Sequence, residues 1–231
     1  MKNKTLLLTI VVILCVISLI VIIVCVASYA SRTKNREYNE EEVLLAAQTL
    51  IKKSETLNEI FYGRGIEYQK DESTAEGAYY QADVLSLKRF GVETVDDIKK
   101  MAADCFTSSY SASIINTVFS SISDEDGIQI LSRYYQKYNS LDDTPECIMV
   151  YKDADIFLTD KVVYDYSSIE VSYVKGEEVF VKIDVKVTNE ENKTQNREIE
   201  IALLEESSGW RINSPTYARY FDREYYEDLK K

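Results

Sequence analysis

Residues 179–187 read VFVKIDVKV, and the prediction of the fold class rests first on this stretch. Its apolar residues recur at every second position: Val179, Val181, Ile183, Val185 and Val187. Successive side chains of a strand point to opposite faces of a sheet. The stretch therefore predicts a strand with one apolar face and one solvent-exposed face, as in an antiparallel sheet that is covered on one side.

The same alternation continues on both sides of this strand. Upstream, apolar residues alternate over 169–173, and Lys175 with Gly176 predicts a turn. Downstream, the polar loop NEENKTQN at 189–196 leads into a strand at 199–203, and a turn at Ser208 and Gly209 leads into a last strand at 210–212. A compact apolar strand is also predicted earlier, at 147–151. The element order is then a strand followed by a three-stranded antiparallel meander at 179–187, 199–203 and 210–212.

Helical periodicity dominates the first half of the chain. Asn39 followed by Glu42 is typical of a helix N-terminus, and the apolar residues over 43–61 recur at spacings of three, four and seven. Thr94 with Asp97 predicts a second N-cap, and residues 114–122 predict a further amphipathic helix. The fold class is therefore α+β, with helices packed on a curved antiparallel sheet.

Two segments are harder to assign. Residues 128–140 fit either a helix or a strand, and we favour a helix. Ser214 and Pro215 predict the start of a C-terminal helix, because proline is well suited to a first helical turn. Its aromatic and apolar residues would then form a packing stripe at i+4 spacing: Tyr217, Phe221, Tyr225 and Leu229.

The N-terminal residues predict a membrane anchor. Residues 5–27 contain no charge, and about 23 apolar or small residues are enough for a helix to span the roughly 30 Å hydrocarbon core. We favour an uncleaved signal anchor, with cleavage after Ala30 as the alternative. Basic residues flank both ends almost equally, and we favour a cytoplasmic N-terminus with the domain outside the cell membrane.

The chain thus divides into three parts. Residues 1–36 comprise a short tail, the anchor and a basic flank. Residues 37–76 form a stalk or first helix followed by a loop, and residues 77–231 form the α+β domain. We expect a single-pass membrane protein whose domain is extracellular.

Charge and composition argue against several classes of function. The chain has 39 acidic against 27 basic residues and no histidine. An excess of carboxylates argues against a nucleic-acid partner. The lack of histidine removes Ser-His-Asp and Cys-His nucleophilic sites as well as His-ligated zinc. We predict no catalytic residues, no cofactor and no metal site, although enzymes that use only carboxylates, tyrosine or lysine stay possible.

Two cysteines lie beyond the anchor. Cys105 falls on the apolar face of a predicted helix, and Cys147 begins the strand at 147–151. If the domain lies outside the cell, they can pair as one disulfide; otherwise they are ordinary buried thiols. The spacing of the two cysteines does not distinguish a disulfide from two free thiols.

The order of helices, one strand and a meander that ends in GWRI at 209–212 resembles the nuclear-transport-factor-2-like superfamily, over about residues 77–213. The resemblance implies a cone of helices wrapped by a curved sheet. Membrane-anchored members with an outside domain look like type IV secretion assembly components and related Gram-positive transfer proteins. The helix at 39–62 would be the first helix of the family or a stalk.

The same superfamily includes ketosteroid isomerases and polyketide cyclases, which use a buried Asp base with tyrosine or acidic partners. By that resemblance, Tyr164, Asp165 and Tyr166 are candidate polar groups of a pocket. They can equally lie exposed on a strand edge or loop. We therefore expect a non-catalytic, membrane-anchored interaction module with a protein partner, which can also be homo-oligomeric. The alternatives are a domain that binds a small or wall-derived ligand and, third, a carboxylate- and tyrosine-based isomerase or cyclase.

Overall fold

The computed structural model describes residues 38–120, 122–123, 129–130, 132–152 and 160–220. The predicted anchor at 5–27 lies outside these residues. Within them, no helix is long and apolar enough to cross a bilayer. The described residues form an α+β fold with two antiparallel sheets and helices, so the fold class is confirmed at that level.

Four α-helices precede most of the strands in the described part of the chain: α1 (Glu40–Phe61), α2 (Val84–Phe90), α3 (Val95–Cys105) and α4 (Ser108–Phe119). Both predicted N-caps are confirmed. The Asn39 side chain accepts hydrogen bonds from the backbone N–H groups of Glu41 and Glu42. Thr94 and Asp97 form a reciprocal capping box, which satisfies N–H groups that the first helical turn leaves without partners.

The strands are β1 (Ala75–Glu76), β2 (Tyr79–Gln81), β3 (Ile122–Ser123), β4 (Gln129–Ile130), β5 (Tyr134–Tyr138), β6 (Pro145–Tyr151), β7 (Lys161–Lys175), β8 (Glu178–Thr188), β9 (Thr194–Glu206) and β10 (Gly209–Ile212). The N-terminal sheet has the order β1-β2-β6-β5, and the C-terminal sheet has the order β10-β9-β8-β7. Strands β3 and β4 pair as a short hairpin. The predicted meander is thus four-stranded, and the earlier strand belongs to a separate sheet.

The helix that we favoured at 128–140 is wrong where the structure describes it. Tyr134–Tyr138 is strand β5, which pairs antiparallel with β6. Tyr134 is fully buried and its neighbour Tyr135 faces the other side of the sheet, where its ring contacts that of Tyr79. Alternating faces suit a strand, and pairing with the apolar strand β6 outweighs a weak local helix preference.

The C-terminal helix is also wrong over its first residues. Residues 215–220 form neither helix nor strand, and the remainder of the predicted helix lies outside the described residues. We call residues 214–220 the strap, because they cross the inner face of the C-terminal sheet. Thr216 and Ala218 are buried there. Side chains of α1 and β7 bind the strap's polar groups, and these tertiary bonds replace the bonds that a helix would make.

The core confirms the alternation from which the fold was predicted. The five apolar residues of β8 are each at most 3% exposed, and they belong to one buried cluster with Val43, Ala47, Ile51 and Leu57 of α1. Burial of each such Val, Ile or Leu side chain stabilises the fold by about 1.5–3 kcal/mol relative to exposure. Helix α1 contacts β7, β10 and α3, so it is the central helix of the domain.

Tyr134, the first residue of β5, and Arg133 just before it bind the end of α1. The Tyr134 hydroxyl donates to the carbonyl of Ile60 at 2.9 Å. The Arg133 guanidinium donates to the carbonyls of Phe61 at 2.9 Å and Gly63 at 2.6 Å. The last turn of α1 carries no basic residue, so the buried Arg133 supplies the positive charge that a helix C-terminus favours.

Candidate functional site

A groove of about 480 Å³ lies beside the end of α1, where β7 begins and the strap passes. Helix α1 forms one wall, the start of β7 forms the other, and the strap closes one end. The groove is lined by Glu55, Asn58, Glu59, Gly63, Arg64, Arg89, Asp160, Lys161, Val162, Tyr164 and Tyr217. One of the three candidate residues from the sequence, Tyr164, lines it.

Tyr164 is buried on the inner face of the C-terminal sheet. Its hydroxyl donates to the backbone carbonyl of Thr216 at 2.6 Å. The side-chain amide of Asn58 donates to the hydroxyl of the same threonine at 2.9 Å. Burial raises the pKa of Tyr164, with a smaller contribution from the nearby Glu55 carboxylate. The phenol is therefore neutral, and its proton is held by the strap.

Tyr166 also faces α1. Its hydroxyl donates to the carboxylate of Glu55, which is partly buried on that helix. Burial is the main cause of its raised pKa, and the hydrogen bond to Glu55 adds to it. Tyr164 and Tyr166 thus share one face, with ring centres 6.1 Å apart.

Asp165 points away from this pair. It lies on the outer face of the sheet, exposed, where its carboxylate accepts from the backbone N–H and the hydroxyl of Ser167. These hydrogen bonds lower the pKa of Asp165, so it is an ionised surface carboxylate. The structure therefore brings the two tyrosines together and leaves the aspartate on the opposite face. This separation follows from the period of two along a strand.

Asp160 holds the far end of the strap at the start of β7. Its backbone carbonyl accepts from the Tyr217 hydroxyl at 2.5 Å, and its carboxylate accepts from the backbone N–H of Tyr220 at 2.8 Å. On β9, Arg197 donates to the carbonyl of Arg219 at 2.8 Å. A second groove of about 350 Å³ lies on the other side of the strap. Asn58 and Tyr217 line both grooves, so the strap divides one larger cleft.

This arrangement limits the chemistry that the cleft can perform. The three phenols Tyr164, Tyr166 and Tyr217 each donate to an oxygen of the protein. A general acid or base must reach the reacting proton within hydrogen-bond distance, and these donors are already engaged. The remaining charges of the larger groove are mixed, with carboxylates and cations on facing walls: Glu55, Glu59, Asp160, Arg64, Arg89 and Lys161.

The described residues contain no group of three or more Cys, Asp or Glu side chains that could hold a metal ion. Nor do they contain a glycine-rich loop in the groove: Gly63 is the one glycine that lines it. Within the described part of the chain, the groove thus offers charged and amide side chains rather than a ligand set for a metal.

The two cysteines are free thiols in different surroundings. Cys105 is buried at the end of α3, and its thiol donates to the carbonyl of Leu50 at 3.4 Å. Burial raises the pKa of Cys105 to about 12. Cys147 is half-buried on β6, where its thiol contacts the sulfur of Met149. The possible disulfide is not formed in the structure.

Sequence reasoning missed several residues of the cleft. Asn58 interrupts the apolar face of α1 and is only 6% exposed. A polar residue at a core position of a helix is a signal that could have been read, because a buried amide needs hydrogen-bond partners. Its partner Thr216 and the strap contact at Asp160 could not have been found, since they depend on the tertiary path of residues 214–220.

No family model matches the chain, and no curated protein matches it.

Proposed function

We propose that this chain is a non-catalytic interaction module that residues 5–27 hold at the outer surface of the cell membrane, where its domain assembles with a protein partner. We further propose that residues 77–213 belong to the nuclear-transport-factor-2-like superfamily, with α1 as its long first helix. A long helix packed on the inner face of an antiparallel sheet, with the meander at the end, supports the second proposal. A role in an envelope or secretion assembly would suit such a module.

The observation that carries the proposed function is the strap. The inner face of the C-terminal sheet is where a cone-shaped fold would hold a substrate, and here residues 214–220 occupy it. Thr216 is 2% exposed and takes the hydrogen bonds of Asn58 and Tyr164, which are the polar groups that a ligand would otherwise use. Because the strap divides this cleft and engages its buried polar groups, the outer surfaces of the domain are the better candidates for recognition.

Crosslinking in membranes tests this proposal. The full-length chain would carry a photo-reactive residue at single exposed positions and would be irradiated in native membranes. We expect specific crosslinks to one protein partner from at least one face of the domain. A matched sample with the photo-reactive residue at buried Val181 controls for nonspecific crosslinking. Irradiation that yields no protein crosslink from any exposed face would refute the interaction module.

The groove beside α1 favours a second candidate, a domain that binds a small or wall-derived ligand. Its facing carboxylates and cations suit a ligand with both signs of charge. Soluble peptidoglycan fragments are suitable probes, and binding would raise the unfolding temperature of the full-length chain by an amount that grows with the logarithm of the ligand concentration once it exceeds Kd. Substitution Arg64→Ala would reduce this effect if the groove is the site. An isomerase or cyclase has less support, because Asp165 does not face Tyr164 and Tyr166.

A further inference from the structure

The two edges of the C-terminal sheet differ. Strand β10 is covered: the Thr107 backbone N–H donates to the carbonyl of Ile212 at 2.9 Å, and the Arg211 side chain donates to the carbonyl of Ala103. Strand β7, at the other edge, is paired in the described part of the chain with β8 alone. It is 15 residues long, whereas strands usually have about 3–10. An edge strand presents a row of backbone donors and acceptors to any further strand.

Apolar side chains lie on both faces of β7. On the inner face, five residues are only partly buried against the core, unlike the fully buried residues of β8: Val162, Tyr166, Ile169, Val171 and Val174. On the outer face, Val163 is 50% exposed and Tyr173 is 44% exposed, and the Tyr173 ring stacks on Phe180 at 4.5 Å. A strand added beside β7 would therefore bury apolar surface on both sides of the sheet.

The outer face next to this edge carries a row of carboxylates. Asp165, Asp184 and Glu198 lie directly opposite one another on β7, β8 and β9, and form one row of three carboxylates. Like charges in direct register destabilise a sheet. Lys182 pairs with Glu198 at 3.4 Å and with Glu170 at 2.9 Å. Lys186 and Arg197 also line the groove over this row. A groove of about 630 Å³ runs over this row beside Val163.

A bulge interrupts the pairing of β7 between Asp165 and Glu170. Within it, Ser168 donates to the carbonyl of Asp165 and accepts from the backbone N–H of Asp184. Bulges of this kind limit edge-to-edge association of identical chains. The net charge of −12 and the carboxylate row also disfavour a second copy, because two such edges would repel each other. A partner of opposite charge would gain from the carboxylate row.

We propose that the open edge of β7 is the docking surface for an extended segment of a partner protein, which adds beside β7 as a strand and places Lys or Arg side chains against Asp165 and Glu170. Its alternate residues are apolar and cover Val171 and Val174. Backbone hydrogen bonds supply the affinity of such strand addition, and alternate side chains supply the specificity. This inference rests on the proposed function and names the surface that performs it.

Binding of model peptides tests whether the β7 edge accepts a basic extended segment. The full-length chain in detergent is mixed with a blocked peptide of alternating lysine and valine, or with one of alternating glutamate and valine, and amide hydrogen exchange is followed by mass spectrometry. We expect the lysine peptide to slow exchange within Lys161–Lys175 and to leave Gly209–Ile212 unchanged. The glutamate peptide should slow neither. Equal effects of the two peptides, or protection confined to other strands, would overturn the proposal.

Matched variants test the charges. Asp165→Asn with Glu170→Gln removes two carboxylates at the edge and keeps the side-chain shapes. Asp104→Asn with Glu146→Gln removes two exposed carboxylates elsewhere and changes the net charge equally. We expect the first pair to weaken lysine-peptide binding about fivefold to tenfold and the second to weaken it less than about twofold, since each exposed charge contact is worth at most about 1 kcal/mol. Equal weakening would contradict a local effect.

Two further measurements distinguish a partner strand from this chain itself or a second copy, and distinguish the docking surface from the interaction module. If the β7 amides are already protected without peptide, the edge is covered by this chain or by a second copy of it. A dimer in sedimentation velocity would identify the second copy. Either result overturns the docking surface.

In membranes, a photo-reactive residue at exposed Ser172 on β7 is compared with one at exposed Lys88 on α2. A protein crosslink from Lys88 alone would overturn the edge and leave the interaction module. Crosslinks from no exposed position would remove both.

Discussion

The Tyr164 hydroxyl lies 2.6 Å from the carbonyl oxygen of Thr216, and this bond joins the inner face of the C-terminal sheet to the strap. Both residues are buried, so water does not replace the bond if it is lost. Asn58 binds the side chain of the same threonine. The strap is therefore part of the folded core, although its backbone is neither helix nor strand.

Substitution Tyr164→Phe should lower the free energy of unfolding by about 1–2 kcal/mol, because it leaves a buried carbonyl without its donor. The matched control is Tyr138→Phe at a half-exposed position of β5, which should change stability by less than about 0.5 kcal/mol. Urea unfolding of the full-length chain, followed by fluorescence, measures both. A loss at Tyr164 no larger than that at Tyr138 would show that the strap bond contributes little.

Substitution Gly65→Ala should be more destabilising than Gly176→Ala. Both glycines have positive φ, at 72° and 66°, so both variants pay about 1–2 kcal/mol of left-handed strain. A Cβ on Gly65 would lie 2.1 Å from the Tyr134 hydroxyl and 2.5 Å from Arg133, whereas one on Gly176 meets nothing within 4 Å. We expect an additional loss of about 1–3 kcal/mol at Gly65 in urea unfolding. Equal losses would show that Arg133 and Tyr134 move aside without cost.

The capping box of α3 predicts a pH-dependent contribution to stability. Backbone N–H groups of Glu93 and Thr94 donate to Asp97 and lower its pKa below the ordinary value of 3.8. Its contribution is therefore present above pH 3.8 and is lost as the pH falls through the lower folded-state pKa. Asp97→Ala should cost about 1 kcal/mol at pH 7, and the cost should shrink below pH 3.8.

Urea unfolding at pH 7 and pH 3 checks this expectation. Asp104→Ala, at an exposed position in the same helix, is the control for the loss of a surface carboxylate. A cost at Asp97 that is the same at both pH values would contradict the role of its ionised form.

Cys105 should resist alkylation in the native chain. A thiol with a pKa of about 12 holds very little thiolate at pH 8, and its burial excludes the reagent. We expect iodoacetamide to modify Cys147, which is half-buried, and to modify Cys105 only after denaturation. Peptide mass spectrometry reads the two sites separately. Recovery of a disulfide between them, or equal rates of alkylation, would contradict the structure.

Local signals predicted the parts of the fold that local physics determines. The alternation of β8 and the caps at Asn39 and Thr94 depend on residues a few positions apart, and each is found where the sequence places it. Strand β5 and the strap could not be predicted in this way, because their conformations depend on β6 and on α1. Among the candidate site residues, Asp165 lies on the opposite face of the sheet from Tyr164 and Tyr166 because successive residues of a strand face opposite sides. That inference required knowing that residues 164–166 lie within β7.

The bonds from Arg133 and Tyr134 to the end of α1 have a consequence for the order of folding. They join positions about 70 residues apart in the chain, and long loops must close before such contacts form. Until β5 is in place, the last carbonyls of α1 have only water as a partner, so the final turn of this helix should unwind in any intermediate that lacks the N-terminal sheet. The end of α1 would then report, in a pulsed hydrogen-exchange experiment, the moment at which the two sheets become one cooperative unit.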